Sequence, residues 1–400
     1  EPVDVAVVGA GVTGLAAARR LARSGASVAV VDAGPVGAGA SSISGGMVIH
    51  GLKASQARVI DLVGRDLARE MWDASLASID LVETITAEDD FACDFHRNGA
   101  AALGFTTRDA SALEERGEWM RRTLGFPTRF FDRGSLDRVV GSGRFSAALA
   151  DDVSAGLHPA KYPYGLAAGA AAAGAALVEG AEVTGLRRIE GGHLLATTKG
   201  SIIAGEVLMA TNGYTGTRFP ALRRGIVPIG SYSVVTEPLD PALAAQVIPG
   251  GRMLWTHRRF LNYFRLTPDG RLLMGGRANL SPDLDLVRSG GILGATIRDF
   301  FPQLADVTIT HSWGGRLGVT FDLLPHIGRI DGYWYAMGYG GHGMGIGTYL
   351  GHEAAGLLTG DLSRSPFLEI AHPTRFYYRK RPWFLPAAAL LYRFLDRIGR

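Results

Sequence analysis

One cysteine in 400 residues, Cys93, is all the thiol chemistry this chain carries. That excludes an intrachain disulfide and any multi-cysteine zinc or iron–sulfur site, and Cys93 itself reads as a small buried hydrophobe. No run of about 18 apolar residues occurs, so no membrane-spanning helix is expected. Charge of one sign is missing too: 41 Lys and Arg stand against 38 Asp and Glu, a net +3. The balance is uneven, because seven basic residues and one acid between Arg375 and Arg400 make the tail +6 and leave the remainder at −3. Basic character is therefore a tail property, and the body is not expected to bind nucleic acid. No internal repeat is present. A strand expected from Val3 leaves no room for a signal peptide in this sequence, and without an initiator Met a short leader could have been trimmed. A cytoplasmic protein is expected.

Glycine is abundant instead, 55 of 400, about twice average usage. Lacking a collagen-like period, these glycines must serve turns and close backbone approaches. With 47% hydrophobic and 20% charged residues, the chain can bury a sizeable core as two domains or one large α/β unit.

The strongest local signal opens the chain. A β-branched run at 3–8 ends in Gly9-Ala10-Gly11-Val12-Thr13-Gly14. Residues 15–24 read as a helix stopped by Gly25, and a second strand at 27–31 ends at Asp32. Strand, G-x-G-x-x-G, helix, strand, acid is the context that turns a glycine pattern into a dinucleotide-binding fingerprint. Gly9 makes the tight turn, Gly11 admits a pyrophosphate and Gly14 lets the helix pack on the strand. The helix N-terminus offers N–H donors to the phosphates, and Asp32 stands where ribose hydroxyls need an acceptor.

The residues beyond Asp32 favour FAD over NAD. A long Gly/Ser loop runs through Gly34, Gly37, Gly39, Ala40, Ser41, Ser42, Gly45, Gly46 and Met47, enough to wrap more phosphate and reach the far half of a larger ligand. A strand at 206–210 then ends in the small polar turn 211–216, suited to a second backbone contact. A third strand, 333–337, feeds Gly338-Tyr339-Gly340-Gly341-His342-Gly343-Met344-Gly345 into a helix read at 349–358 and closed by Gly360. That helix end is a second anion site, suited to the negative charge of a reduced flavin.

With these residues in view the chain resembles the D-amino-acid-oxidase superfamily of FAD enzymes over nearly its whole length. The likeness runs through the fingerprint, 39–47, 156–161, 210–216, Tyr263-Phe264-Arg265-Leu266-Thr267 and Trp313-Gly314-Gly315. It continues to Asp322, Pro325 and 338–343. It is strongest to the γ-glutamylputrescine-oxidase-like and glycine/sarcosine-oxidase branches. The resemblance implies FAD contacts from Gly9, Gly11, Val12, Thr13, Gly14, Asp32 and Ala33, and from Gly39, Ala40, Ser41, Ser42, Gly45, Gly46 and Met47. It adds Val183, Thr211, Asn212, Gly213, Tyr214, Gly315, Gly340, Gly341, His342, Gly343 and Met344. The cysteine that sarcosine oxidase links to flavin has no counterpart, since Cys93 lies elsewhere, so FAD is expected to be non-covalent.

The implied architecture is α/β (α+β overall): a Rossmann-like FAD-binding domain and a second, mainly antiparallel β-sheet substrate domain. Three separate elements share one cofactor, so the FAD domain is expected to be discontinuous, 1–88, 150–219 and 323–365. Residues 89–149 and 220–322 form the substrate domain, and 366–400 a basic aromatic tail. Alternation at 231–236, 263–267, 271–274 and 307–313 reads as antiparallel sheet, with Pro268-Asp269-Gly270 a hairpin turn. Residues 55–88 read as long helical structure and 166–177 as an alanine-rich helix.

Flavin oxidation of a C–N or C–O bond asks the protein to hold the C–H near flavin N5, exclude water and stabilise reduced flavin. No triad or metal cluster is required or visible, and no metal is expected. The glycine-oxidase branch places a carboxylate-binding arginine where this chain has Leu317. Sarcosine-oxidase-like enzymes place a carboxylate-binding lysine at Gly345 and an oxygen-activating lysine at Leu273. These departures point to an amine without an adjacent carboxylate, oxidised to an imine that hydrolyses to aldehyde or ketone. Oxygen, giving hydrogen peroxide, or another acceptor takes the electrons. An amino-acid oxidase using Arg265 or Arg277 as a clamp is the alternative; a non-catalytic flavoprotein assembly factor is another. Candidate pocket residues are His50, Tyr263, Arg265, Trp313 and His342, beside Tyr214. His50 could orient or deprotonate an ammonium, and Tyr263 and Trp313 could receive a cation on their rings. For each, ordinary core packing or a salt bridge is the competing reading. Arg316 should face away from the site, and Lys161 reads as structural. The tail could lie on an anionic membrane surface, although a helix packed on the body is preferred.

Overall fold

The computed structural model describes residues 2–276, 280–368, 370–379 and 381–397. Valine-rich β1 (Val3–Val8) turns at Gly9 into α1 (Val12–Arg23), and the chain returns as β2 (Val28–Val31). β1 has parallel neighbours on both edges, with Val5 opposite Val28 of β2 and opposite Glu206 of the strand Gly200–Met209. Its side chains alternate: Val5 and Val7 enter the core beneath the helices, while Ala6 and Val8 enter the core of the other face. Across the sheet the order is His326–Ile330, Tyr333–Met337, Gly200–Met209, β1, β2, Ala176–Val178. A hairpin, Val183–Ile189 and Gly192–Thr197, pairs off the strand Gly200–Met209.

Helices Lys161–Ala172, Arg65–Glu88 and Gly345–Thr359 join α1 on one face. The last of these touches α1 backbone to backbone: a Cβ on Gly351 would stand 2.1 Å from the Thr13 carbonyl oxygen. The second sheet runs Ile309–Val319, Val227–Pro238, Arg271–Gly276, Asn262–Leu266, Met253–Thr256, Ala100–Gly104, Ala147–Asp151, Arg129–Phe131. It is antiparallel except where Met253–Thr256 runs parallel to Ala100–Gly104. Phe264, Phe300, Phe301 and Phe145 fill its core beneath the helix Leu286–Phe300.

Three sequence expectations are corrected here. The helical stretch 55–88 is two helices, Gln56–Val63 and Arg65–Glu88, because Gly64 takes a left-handed φ of 84°. The alanine-rich run 166–177 does not stay helical. Its helix is Lys161–Ala172, Gly174 turns the chain at φ 101°, and Ala176–Val178 becomes a strand beside β2. The domain boundary at 150 falls inside Ala147–Asp151, which pairs wholly within the second sheet.

The tail docks on the body. Tyr378 is fully buried with its hydroxyl donating to the Ile226 carbonyl at 2.9 Å, and Leu385 and Ala389 pack with Val227 and Leu280. Phe376 and Trp383 remain exposed. Among the described residues no helix is long and apolar enough to cross a membrane.

Candidate active site

Three glycine turns meet at the carboxyl ends of parallel strands. Gly9 N donates to Val31 O (2.8 Å) and Ala210 N to Val8 O (2.8 Å), while Gly340 N donates to Gly318 O (3.1 Å) and ties the third turn to the second sheet. Asn212, at a left-handed φ of 41° that asparagine tolerates, accepts the Gly338 N–H on Oδ1 at 3.0 Å. Thr13 Oγ1 donates to Tyr339 Oη (2.7 Å), which donates on to Ala336 O. Asp32 accepts Ala10 N on Oδ2 (2.7 Å) and Gly34 N on Oδ1 (2.8 Å), and each carboxylate oxygen keeps a second lone pair.

The loop after β2 is held from the second sheet. Trp313 Nε1 donates to Ile43 O (2.8 Å), and Arg265 donates from Nε to Gly45 O (2.7 Å) and from Nη2 to Leu157 O (2.8 Å). The Tyr263 ring lies against Gly45, where a Cβ would be 2.6 Å from ring Cε2. Its hydroxyl shares a hydrogen bond with Ser233 Oγ at 3.1 Å.

Between the two sheets lies a cavity of about 1470 Å³. Small-ligand sites run to about 300–1,000 Å³, so there is room for a dinucleotide and a small second molecule. The first sheet's side contributes Gly11, Val12, Thr13, Asp32, Ala33, Val183, Thr211, Asn212 and the 340–344 turn. From the second come Trp119, Met120, Leu124, Trp255, Leu261 and Tyr263. Gly39, Ala40, Ser41, Gly45, Met47, Tyr214 and Gly315 also reach the wall.

Six expected residues do not. Gly14 is pressed on the fingerprint turn, a Cβ there falling 1.9 Å from Gly9 O; Gly213 backs onto Leu317 and Gly318; Gly46 sits against Leu157 O. Ser42 Oγ is buried beneath the loop. The fifth is Arg265: its guanidinium is buried on two backbone carbonyls, and burial pulls its pKa down to about 10. It is a loop brace, not a clamp in the cavity. Trp313 is likewise turned to Ile43 O. Arg277 lies outside the described residues.

His50 reaches the cavity, but its ring is boxed by Trp72 and Phe126 at centroid distances of 5.3 and 4.6 Å. Nε2 faces Asp151 Oδ2 at 3.3 Å, and Nδ1 is buried without a partner. Burial would raise the Asp151 carboxyl, but the His50 contact and backbone donors outweigh it and hold it below the usual range. Both ring nitrogens thus point into protein, which corrects the expectation of direct proton transfer to or from an ammonium. His342 faces the cavity from the glycine turn; burial, with Lys53 adding to it, lowers its pKa to about 3 and keeps it neutral. Lys161 pairs with Asp94 at 2.9 Å, away from the cavity; Arg316 pairs with Asp283 at 3.1 Å but also reaches the cavity wall, which corrects the expectation that it faces away from the site. Lys53, Trp72, Arg116, Trp255 and His257 also line the cavity. Sequence reasoning missed them because each lies outside any glycine element and carries no spacing signal.

The walls fit FAD. Within 4 Å a Cβ on Gly11 would meet only Ser41 Oγ, at 3.0 Å, and one on Gly341 would meet nothing. The room those glycines leave is therefore not taken by protein. Ser41 Oγ accepts the Val12 N–H at 3.1 Å and keeps its own proton to donate, and with the Thr13 N–H in the first turn of α1 it forms a donor set suited to a pyrophosphate. The sole cysteine, Cys93, is buried and does not line the cavity, so no cysteinyl link to the cofactor is available. Among the described residues, no cluster of three or more His, Cys, Asp or Glu could hold a metal ion.

Comparison with known proteins agrees with this geometry. The family model described as DAO, FAD dependent oxidoreductase, matches residues 4–357. The chain is 32% identical to the probable oxidoreductase OrdL of Haemophilus influenzae, over 92% of this chain and 86% of that protein. It is 31% identical to the gamma-glutamylputrescine oxidoreductase of Escherichia coli K12, over 99% and 93%. Among solved structures, glycine oxidase from Geobacillus kaustophilus superposes with a TM-score of 0.78 at 24% identity, covering 93% of this chain and 99% of that one.

Proposed function

This chain belongs to the DAO family of FAD-dependent oxidoreductases, and from that premise we propose that it oxidises the C–N bond of a primary or secondary amine. The observation that carries the reading is Leu317, an apolar side chain on the cavity wall where the resemblance would put a carboxylate-binding arginine. Arg265, committed to loop carbonyls, does not replace it. When bound, FAD supplies the acceptor for the hydride leaving the substrate α-carbon. The imine that results hydrolyses to an aldehyde or ketone, and oxygen or another acceptor takes the two electrons.

The chain's own residues prepare this step in three ways. Trp119, Met120, Leu124 and Trp255 give the substrate an apolar wall that excludes water. The Lys53 charge, felt at His342, raises the positive potential on that side of the cavity, which lowers the pKa of a bound ammonium and favours the neutral amine. Neutral His342 offers an uncharged imidazole at the glycine turn.

The test is an anaerobic visible-absorption titration of the flavin-loaded protein with pooled polyamines and alkylamines, then pooled amino acids. Bleaching by amines is expected, and admitting air then shows whether oxygen is the acceptor. Bleaching by amino acids alone would overturn the amine reading. A flavin that neither pool reduces would count against it and favour a C–O substrate or a non-catalytic role.

A further inference from the structure

We propose that Arg116 anchors a carboxylate at the far end of the amine substrate, so that the chain selects amines carrying a negative group several carbons from the reacting nitrogen. The proposal rests on the amine reading above. It begins with an imbalance in the cavity. Among the described residues two carboxylates line it, Asp32 and Glu182; Asp32 follows β2 and Glu182 adjoins Val183, both beside the nucleotide fingerprint. The rest of the described wall carries Lys53, Arg116, Arg218, Arg258, Arg316 and His257 with no acid among them.

Arg116 differs from the other arginines nearby. Arg316 is paired with Asp283, Arg218 stands 3.8 Å from Glu182, Arg265 holds two carbonyls, and Arg258 lies over the Phe105 ring at 3.6 Å. Arg116 has no ion pair or hydrogen bond among the described residues. Its own helix, Thr107–Trp119, holds four acids, and neither Glu114 nor Glu115 is paired with it. Asp109 caps the helix through Phe105 N (2.8 Å) and Thr106 N (3.0 Å), and Glu118 pairs with Arg122 at 2.9 Å. Arg116 is exposed to solvent as a residue, and enough protein surrounds its guanidinium for desolvation to lower its pKa. Desolvation also lowers the pKa of His257, and the Arg116 charge adds to that effect. Two basic groups thus face one volume without a counter-charge on its wall.

A guanidinium on a cavity wall with no protein partner presents its donor fork to whatever enters, and a carboxylate there gains two parallel charge-assisted bonds at once. Trp119 and Met120, three and four residues further on, line the same wall and offer an apolar surface for the methylene stem between the carboxylate and the amine. Leu317 and Arg116 then divide the recognition: nothing clamps the carbon beside the nitrogen, and the charge is read at a distance.

The experiment uses the FAD-loaded enzyme and two probes that carry no amine, adipate and its neutral diamide, titrated against the visible flavin band and tryptophan fluorescence. Adipate is expected to bind wild type more tightly than the diamide. Arg116→Ala should weaken adipate by about 10–100-fold, and Arg116→Lys by less. In turnover, 6-aminohexanoate should show a lower KM than hexylamine in wild type, and Arg116→Ala should erase that difference. Equal binding of adipate by wild type and Arg116→Ala, or of adipate and diamide by wild type, would overturn the proposal. So would equal KM for the two amines in wild type. Should no amine reduce the flavin, the reading of the reaction fails, and the adipate titration still decides the role of Arg116. If Arg116→Ala does not fold, Arg116→Gln gives the same comparison.

Discussion

Replacing Arg265 with Met separates its two possible roles. In the structure its guanidinium donates to Gly45 O at 2.7 Å and Leu157 O at 2.8 Å, both out of water. Hydrogen bonds from a charged donor are worth about 1.5–3 kcal/mol each, so the pair contributes about 3–6 kcal/mol gross. Removing the cation also removes its desolvation penalty, while the two carbonyls are left buried and unpaired, for a net loss of about 3 kcal/mol. At about 2–4 °C per kcal/mol for a unit of 150–250 residues, the melting temperature of Arg265→Met should fall by roughly 6–12 °C. Because Gly45 lines the cavity, bound flavin should also be lost more readily on dilution. Thermal denaturation with flavin fluorescence reads both effects, and steady-state kinetics supplies the control. An unchanged melting temperature with a KM raised tenfold or more would refute the brace and restore the substrate clamp.

The glycine turns and the buried imidazoles each set a further expectation. A Cβ on Gly11 would meet only Ser41 Oγ, whereas one on Gly14 would lie 1.9 Å from Gly9 O. Gly11→Val should therefore fold with normal far-UV circular dichroism but purify without flavin, and Gly14→Val should fail to fold; flavin retained by Gly11→Val would contradict the site. Burial lowers the pKa of His352 and His372 to about 4, against an ordinary value of 6.5. Between those values the unfolded state binds more protons, so stability is full above pH 6.5 and falls as the pH drops toward 4. Urea denaturation across that window checks it, and a flat midpoint would show that neither imidazole is held neutral.

The parts legible in the sequence were those whose chemistry is local. Gly9, Gly11, Gly14 and Asp32 act through backbone geometry within one β-α-β unit, so their spacing alone locates the cavity's nucleotide end. Arg271–Gly276 and Asn262–Leu266 form as antiparallel partners because the Pro268-Asp269-Gly270 turn between them fixes their pairing locally, although Arg271–Gly276 is buried on both faces and shows no period of two. Alternation puts Tyr263 and Arg265 on one face, and there local reasoning stops. Tyr263 reaches the cavity and Arg265 does not, because two loop carbonyls from distant segments need a donor at that point. Arg116 was hidden for the opposite reason. In a helix rich in acids and arginines it looks like any solvated residue, and its lack of a partner is a property of the folded cavity. The alanines at 166–177 suit both helix and buried strand, and Gly174 decided between them.

The parallel pairing of β1 has a consequence for how the protein emerges from the ribosome. Val3 waits for Ala204, about 200 residues later, and at about 5–20 residues per second that interval lasts about 10–40 s. During it β1 can pair with β2 on one edge while the other edge, valine-rich and uncharged beyond Asp4, stands open. The strand Tyr333–Met337, which carries the third glycine turn, arrives later still. Flavin capture is thus a late event of synthesis, and the nascent chain is exposed to edge-to-edge association until the strand Gly200–Met209 closes the sheet. Cells that make this protein quickly, or at high temperature, place their greatest demand on chaperones in that interval.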